Sequence, residues 1–190
     1  MTSRKRSRQL LKSCLSFRCV YFFFLLYTYW YMKHLTASHW SKLFTSFIIS
    51  YLAGFVGSLC MSASSLAWYA TLSKPSFAPP AWVFGPVWVV LYALIGIALF
   101  RVWTSHDARS KGAMRLFGLN IALNALWPLL FFGMRSPGLG YVEIVVLWVS
   151  LAVLVIDTWK FDRVASVLLI PYLLWITIAS ILNFFVWFIN

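Results

Sequence analysis

Long uncharged runs alternate with short polar segments along most of the chain. The runs cover residues 43–73, 75–100, 116–134, 136–156 and 164–190. Glu143 is the only charged residue inside them. A helix of about 20 apolar residues crosses the hydrocarbon core of a bilayer. The pattern therefore predicts five transmembrane helices, called spans one to five, near residues 43–65, 80–101, 115–134, 138–157 and 164–188.

Composition places the chain among integral membrane proteins. Hydrophobic residues make up 62% of the sequence and charged residues only 11%, whereas a soluble domain has about 25% charged residues. So few charges cannot cover a soluble surface, and so many apolar residues exclude a disordered chain. We therefore expect an all-α membrane protein in which residues 43–190 form a single five-helix domain in the lipid bilayer.

Basic residues concentrate on one side of the predicted membrane. With five spans, the segment before span one shares a side with the second and fourth loops. That side holds Lys33, Lys42, Arg101, Arg109, Lys111, Arg115, Lys160 and Arg163. The other side holds Lys74 and Arg135. The positive-inside rule predicts a cytoplasmic N-terminus, in a bacterial cytoplasmic membrane or, in a eukaryote, the mitochondrial outer membrane.

Residues 1–42 form a basic and aromatic extension that contains no acidic residue. Its apolar stretch, residues 19–32, is short for a span, and no convincing cleavage site for a signal peptide follows it. Two interpretations stay open. The stretch is an interfacial segment, or the start is misassigned and Met32 opens the protein just before span one.

Spans two and three carry aromatic and amide side chains at helical spacing. In span two, Phe84 and Trp88 begin a stripe of large apolar residues. In span three, Asn120, Asn124 and Trp127 share one face. An unpaired amide is costly in lipid. These amides are therefore expected either to line an interior site or to tie helices together.

The opposite face of span three is made of small residues, namely Gly118, Ala122 and Ala125. Small residues allow two membrane helices to approach closely. This face is expected to pack against another helix, and the interface of a homodimer is one interpretation.

Span five places Trp175, Ala179 and Leu182 on one face. Ala179 leaves room between larger neighbours, as the wall of a site for a flat molecule requires. In span four, Glu143 lies about one turn after the helix start, near the depth of the lipid headgroups. A carboxylate is easily accommodated there, so a structural role is expected for Glu143.

The sequence does not assemble a catalytic or metal-binding set. The histidines lie in loops or flanks, and the cysteines have no ligand-like spacing. We expect no catalytic residue, no metal site, no cofactor and no nucleic-acid partner. Tryptophans, tyrosines and a few amides suit a large, flat, apolar ligand. A small secondary transporter or channel is the alternative, and Glu143 would be its coupling charge.

Several sequence strings, taken in order, resemble the TspO/MBR family, the translocator proteins once called peripheral-type benzodiazepine receptors. The strings are Trp68-Tyr69, Leu72-Ser-Lys-Pro-Ser-Phe-Ala-Pro-Pro80, Phe84-Gly-Pro-Val-Trp88, Leu91-Tyr92, Leu123-Asn124 to Trp127, Phe131-Phe132-Gly133, Pro171-Tyr-Leu-Leu-Trp175 and Leu182-Asn183. They extend over about residues 45–190, so the resemblance covers the whole predicted membrane domain and excludes the N-terminal extension.

The resemblance implies a five-helix bundle that is usually dimeric. It also implies that the ligands are tetrapyrroles such as protoporphyrin IX and, in some members, cholesterol and isoquinoline or benzodiazepine drugs. The C-terminal segment lacks a tyrosine followed by a basic residue, so sterol binding is expected to be weak.

The resemblance also implies roles for individual residues. Pocket positions are matched by Trp88, Asn124, Trp175 and Ala179. Drug-site positions of animal members are matched by Trp127 and Leu182, and the loop that covers the pocket by Trp68 and Tyr69. Trp88 and Trp175 further match tryptophans implicated in light-dependent porphyrin breakdown, so the expected roles are binding, transport or sensing of a porphyrin, or its photodegradation.

Overall fold

The computed structural model describes residues 37–190, which form helices joined by short loops and contain no strand. The helices are α1 Ala37–Ser58, α2 Ala63–Thr71, α3 Ala81–Thr104, α4 Ser110–Pro128, α5 Pro137–Trp159 and α6 Arg163–Ile189. A π-helical turn, Leu129–Gly133, continues α4. Most of the N-terminal extension, including Met32, lies outside the described residues. Ser41–Asn190 form one compact unit.

Four helices in the described part are long and apolar enough to cross a membrane. They are α3, α4 with its π-helical turn, α5 and α6. Helices α1 and α2 meet the same criterion only when taken together, and they are bent by 71° at the break between them. Residues 37–190 therefore contain four candidate spans, or five if this bent pair crosses as one. The predicted all-helical membrane bundle is confirmed.

The break between α1 and α2 falls inside the continuous span predicted for residues 43–65. Helix α1 ends at Ser58, and α2 begins at Ala63. The Ser62 hydroxyl oxygen accepts a hydrogen bond from the Ser65 amide at 3.2 Å. This side-chain cap satisfies a backbone donor at the start of a helix. A local capping serine therefore restarts the helix in a stretch whose hydropathy alone predicts continuity.

The outer surface of the bundle is apolar. Val142 and Ile156 are each 62% exposed, and Phe188 is 75% exposed. Soluble monomers rarely expose so much contiguous apolar surface, whereas lipid-facing helices do so by necessity. The protein is therefore an integral membrane protein.

The loop after α3 and the loop before α6 meet at one end of the bundle. Arg101 Nε lies 3.0 Å from an Asp162 carboxylate oxygen, and this ion pair joins the end of α3 to the start of α6. In the α3–α4 loop, hydrogen bonds from Arg109 lower the pKa of Asp107 to about 2, so this carboxylate stays ionised at neutral pH. The basic second and fourth loops therefore share one face of the protein.

Candidate functional site

The amide of Asn124 joins three helices in the centre of the bundle. Asn124 Oδ1 accepts a hydrogen bond from the Tyr92 hydroxyl at 2.9 Å. Asn124 Nδ2 donates to the Tyr172 hydroxyl oxygen at 2.8 Å. Asn124 and Tyr172 are almost fully buried. The amide therefore cross-links α4 to α3 and α6, and both of its ends have partners inside the protein.

A small cavity of about 10 Å³ lies beside this network. Its lining includes Ser50, Tyr92, Asn120, Asn124 and Tyr172. About 10 to 15 Å³ of such space is what one water molecule needs. The cavity therefore fits one water molecule and is far too small for a tetrapyrrole.

Asn120 has different partners from Asn124, although the two lie on the same face of α4. Asn120 Nδ2 donates to the Ser150 hydroxyl oxygen at 2.9 Å and to the Leu147 carbonyl oxygen at 3.4 Å. Both acceptors belong to α5. Asn120 therefore ties α4 to α5.

Trp88 is held by two tyrosines of the asparagine network. Its indole stacks on the Tyr92 ring, with centroids 5.1 Å apart and planes inclined by 24°. Tyr172 makes an edge contact with the same indole at 6.1 Å. Tyr92 continues the stripe of Phe84 and Trp88 at the next helical step of four. This spacing is the signal by which the sequence could have identified Tyr92 as a site residue.

Trp175 lies across from this stripe, on α6. Its indole makes an edge contact with the Phe84 ring at 5.6 Å. Trp88, Trp175 and Ala179 all pack, partly buried, against the same core cluster. Trp175 Nε1 is buried and has no hydrogen-bond partner among the described residues. An unpaired buried donor is uncommon in native structures, so Trp175 Nε1 is an unsatisfied polar atom inside the bundle.

A second group of predicted residues surrounds the π-helical turn. The Trp127 ring stacks on Phe131 at 4.9 Å, and Trp68 contacts Phe131 edge-on at 5.9 Å. Tyr69 contacts Phe132 at 5.4 Å. The structure thus brings Trp68, Tyr69 and Trp127 together in a cluster around the turn. Trp127 also packs against the core cluster of Trp88 and Trp175, so it links the two groups.

Asn183 anchors the second group. Its Oδ1 accepts a hydrogen bond from Trp127 Nε1 at 3.1 Å, and its Nδ2 donates to the Pro137 carbonyl oxygen at 2.7 Å. The preceding residue, Leu182, is half-buried. Asn183 was not among the site residues that the sequence predicted. Its position next to Leu182, at the end of the last matching string, was the available signal.

Comparison with known proteins shows which family the chain is similar to. The sequence profile described as the TspO/MBR family matches residues 46–188. The chain is 40% identical to the tryptophan-rich protein TspO of Archaeoglobus fulgidus over 152 residues, which are 78% of this chain and 97% of that protein. The chain belongs to the TspO/MBR family.

Other members of the family show a similar degree of likeness. The translocator protein of Homo sapiens is 37% identical over 139 residues, which are 72% of this chain and 82% of that protein. The tryptophan-rich sensory protein of Cereibacter sphaeroides is 37% identical over 117 residues, or 62% and 73% of the two chains. The matched residues 46–188 include every predicted site residue of this TspO/MBR protein.

Glu143 of this TspO/MBR protein lies inside the bundle. The residue is only 6% exposed, and neither carboxylate oxygen has a hydrogen-bond partner among the described residues. Ile144 and Leu147, on the same side of α5, belong to the core cluster. The side chain therefore faces the neighbouring helices. The described residues also contain no group of His, Cys, Asp and Glu able to hold a metal ion.

The small face of α4 points away from the bundle. Gly118 and Ala122 are exposed, and Ala125 is half-buried. A Cβ atom added to Gly118 would meet no other atom within 4 Å. This face is therefore not used for packing within the described part of the TspO/MBR chain.

Proposed function

We propose that this protein binds tetrapyrroles of the protoporphyrin IX type within the membrane. The macrocycle would lie against Trp88 and Trp175, and Ala179 would leave space for its flat surface. The buried, unpaired Nε1 of Trp175 is the observation that carries the proposal, because a buried donor without a partner costs about 1–3 kcal/mol. A ligand acceptor would remove that cost.

The two tyrosines and Asn124 have a supporting role in this proposal. Each end of the Asn124 amide has a tyrosine partner, and Tyr92 in turn stacks on Trp88. The asparagine therefore orients the aromatic wall and does not contact the ligand in this arrangement. We place the ligand against the two indoles and not beside Asn124, because the cavity next to Asn124 holds only about one water molecule.

Binding is expected to depend on both tryptophans. In detergent-solubilised protein, Trp88→Ala and Trp175→Ala should each weaken the binding of protoporphyrin IX about tenfold. Removing an aromatic side chain that stacks on a flat ring, such as a nucleic-acid base, costs about 1–3 kcal/mol of binding free energy. The measurement is a titration in the dark that follows the quenching of tryptophan fluorescence. Repeating it under illumination, with the porphyrin absorbance recorded, separates binding from photodegradation.

The matched control is Trp159→Phe. Trp159 ends α5 at the opposite face of the protein, where the Arg163 guanidinium lies 5.6 Å from its ring. Loss of this tryptophan lowers the total fluorescence and should leave the dissociation constant unchanged. Wild-type titration curves from both Trp88→Ala and Trp175→Ala would refute the proposed site.

We further propose that the protein is a homodimer joined through Gly118, Ala122 and Ala125. The exposure of this small face supports the proposal, because small residues let membrane helices pack closely.

We also propose that the N-terminus is cytoplasmic, since Arg101 and the basic loops share one face. The name of the Cereibacter sphaeroides relative denotes a sensory protein, and a sensing role for the bound tetrapyrrole is consistent with it. Isoquinoline or benzodiazepine drugs would use the same aromatic site, and sterols would bind weakly.

One observation favours a second candidate function, that of a small secondary transporter or channel. Both oxygens of the buried Glu143 carboxylate lack partners among the described residues, and intramembrane carboxylates often couple ion movement to transport. If the protein is a transporter or channel, Glu143→Gln abolishes substrate uptake into vesicles, and the wild-type protein binds no porphyrin. On the tetrapyrrole proposal, Glu143→Gln binds protoporphyrin IX with unchanged affinity.

A further inference from the structure

Two basic residues extend the small face of α4 toward the start of the helix. Lys111 and Arg115 precede Gly118 at steps of four and three residues, so all three lie on the same side of the helix. Both basic side chains are exposed. We call Lys111 and Arg115 the basic pair. The basic pair and the small face therefore form one continuous open surface of α4.

The chain has no uncommitted acidic side chain for the basic pair. It contains four acidic residues against 16 lysines and arginines. Three of the acids form ion pairs with other bases, namely Asp107–Arg109, Asp157–Lys160 and Asp162–Arg101. The fourth, Glu143, is buried inside the bundle. Because this count covers the whole sequence, a second copy of the chain has no spare carboxylate side chain to offer either.

The basic pair lies where α4 enters the apolar layer. Residues 116–134 carry no charge, and a helix rises about 1.5 Å per residue, so Arg115 stands only about 4.5 Å along the axis from Gly118. The exposed side chains beyond it on α4 include Leu119 and Leu126. A positive surface therefore adjoins an apolar one, which matches the headgroup and the acyl chains of an anionic phospholipid.

Dimerisation through the small face would bring two basic pairs together. Two copies with the same orientation in a membrane are related by a two-fold axis along the membrane normal, because that operation keeps each residue at its own depth. Each base then lies at the same height as its equivalent in the other copy. Four positive charges would meet at the edge of the interface and repel one another, most strongly where little water screens them. An anion between the copies would replace this repulsion with attraction.

We propose that the headgroup of an anionic phospholipid binds between the basic pairs of two copies and stabilises the homodimer. The inference rests on the proposed homodimer, whose interface it extends from the apolar layer to the membrane surface. The site takes a phosphate group with net negative charge, as in phosphatidylglycerol. It disfavours phosphatidylcholine, because the choline cation would add a further positive charge. Dimer formation then depends on the anionic lipid content of the membrane.

The test measures the dissociation constant of the dimer in vesicles of phosphatidylcholine alone and of phosphatidylcholine mixed with phosphatidylglycerol. Energy transfer between copies that carry donor or acceptor dyes reports the dimer fraction as the protein is diluted in lipid. Wild-type protein should dimerise about tenfold more tightly in the mixed vesicles. The double variant Lys111→Gln/Arg115→Gln should show no such gain. In phosphatidylcholine alone it should dimerise more tightly than the wild type, because the repulsion is removed.

The matched control is Arg163→Gln, which removes another exposed base from the same side of the membrane. Arg163 belongs to α6, where its guanidinium lies 5.6 Å from the Trp159 ring, so this variant should keep the lipid dependence. Glycerol phosphate added to phosphatidylcholine vesicles separates a lipid headgroup from a soluble phosphate. It should not reproduce the gain, because it has no acyl chains to hold it at the apolar surface.

The single variants Lys111→Gln and Arg115→Gln cover the case in which the double variant misfolds, and each should lose part of the gain. An unfolding transition in micelles at the wild-type position reports that a variant's fold is retained. Equal dissociation constants of wild-type protein in both vesicles, an undiminished gain in the folded variants, or the same gain with glycerol phosphate would overturn the inference and leave the proposed homodimer standing. If wild-type protein stays monomeric in both vesicles, the proposed homodimer fails, and the inference fails with it.

Discussion

Replacing Asn124 with leucine should lower the free energy of unfolding by about 2 kcal/mol. The substitution leaves the hydroxyls of Tyr92 and Tyr172 without their partner, and each unsatisfied buried group costs about 1–3 kcal/mol. The lower part of that range is expected here, because hydrogen bonds between membrane helices average about 0.6 kcal/mol. The measurement is reversible unfolding in mixed micelles with an increasing fraction of denaturing detergent.

The control for Asn124→Leu is the triple variant that adds Tyr92→Phe and Tyr172→Phe. Removing all the polar partners together leaves no unsatisfied group, and such a replacement is nearly neutral. The triple variant should therefore recover most of the lost stability. If Asn124→Leu alone unfolds like the wild type, the hydrogen-bonded network does not hold the three helices together. Because Tyr92 stacks on Trp88, we also expect weaker porphyrin binding in the single variant.

Replacing Gly140 with leucine should have a still larger effect on folding. A Cβ atom at this position would lie 3.0 Å from Phe131 Cδ2 and 3.1 Å from Asn183 Oδ1. Leucine must therefore displace Phe131 and break the hydrogen bond between Asn183 and Trp127. Overpacking alone costs about 1–3 kcal/mol, and the broken hydrogen bond adds to it. The measurement is the same unfolding titration, together with the yield of folded protein.

Gly118→Leu is the matched control because it makes the same change on the open face of α4. Nothing lies within 4 Å of an added Cβ atom at Gly118, so the unfolding transition of the monomer should stay at its wild-type position. Under the dimer proposal, this variant instead lowers the dimer fraction measured by light scattering or cross-linking in micelles. Equal destabilisation by Gly140→Leu and Gly118→Leu would contradict the packing described for α5.

The two asparagines of α4 illustrate how far sequence reasoning reaches. Helical spacing correctly places Asn120 and Asn124 on the same side of the helix, and the cost of an unpaired amide indicates that both have partners. Four residues along a helix correspond to a turn of about 40° and a rise of about 6 Å. That offset is enough for Asn120 to reach Ser150 on α5 while Asn124 reaches Tyr92 and Tyr172. The spacing within one helix contains no information about which helix lies opposite.

The tryptophans of the predicted site also have different surroundings in the structure, although the sequence predicts a single binding region for them. The sequence motifs place Trp68, Trp88, Trp127 and Trp175 in one expected binding region. In the structure, Trp88 and Trp175 pack on the core cluster, while Trp68 packs around the π-helical turn. Trp127 contacts both clusters. Only the assembled bundle shows that the aromatic residues form two connected groups.

The membrane location and the all-helical class follow from the sequence alone, since a bilayer requires long uncharged helices and that requirement is met within each segment. The family follows from ordered motifs that are likewise local. The partners of Asn124 and Asn183 and the burial of Glu143 were decided only by the tertiary structure. They depend on which faces of the helices pack together and on the register of the helices along their axes. The free energy of this packing comes from contacts between residues far apart in the chain.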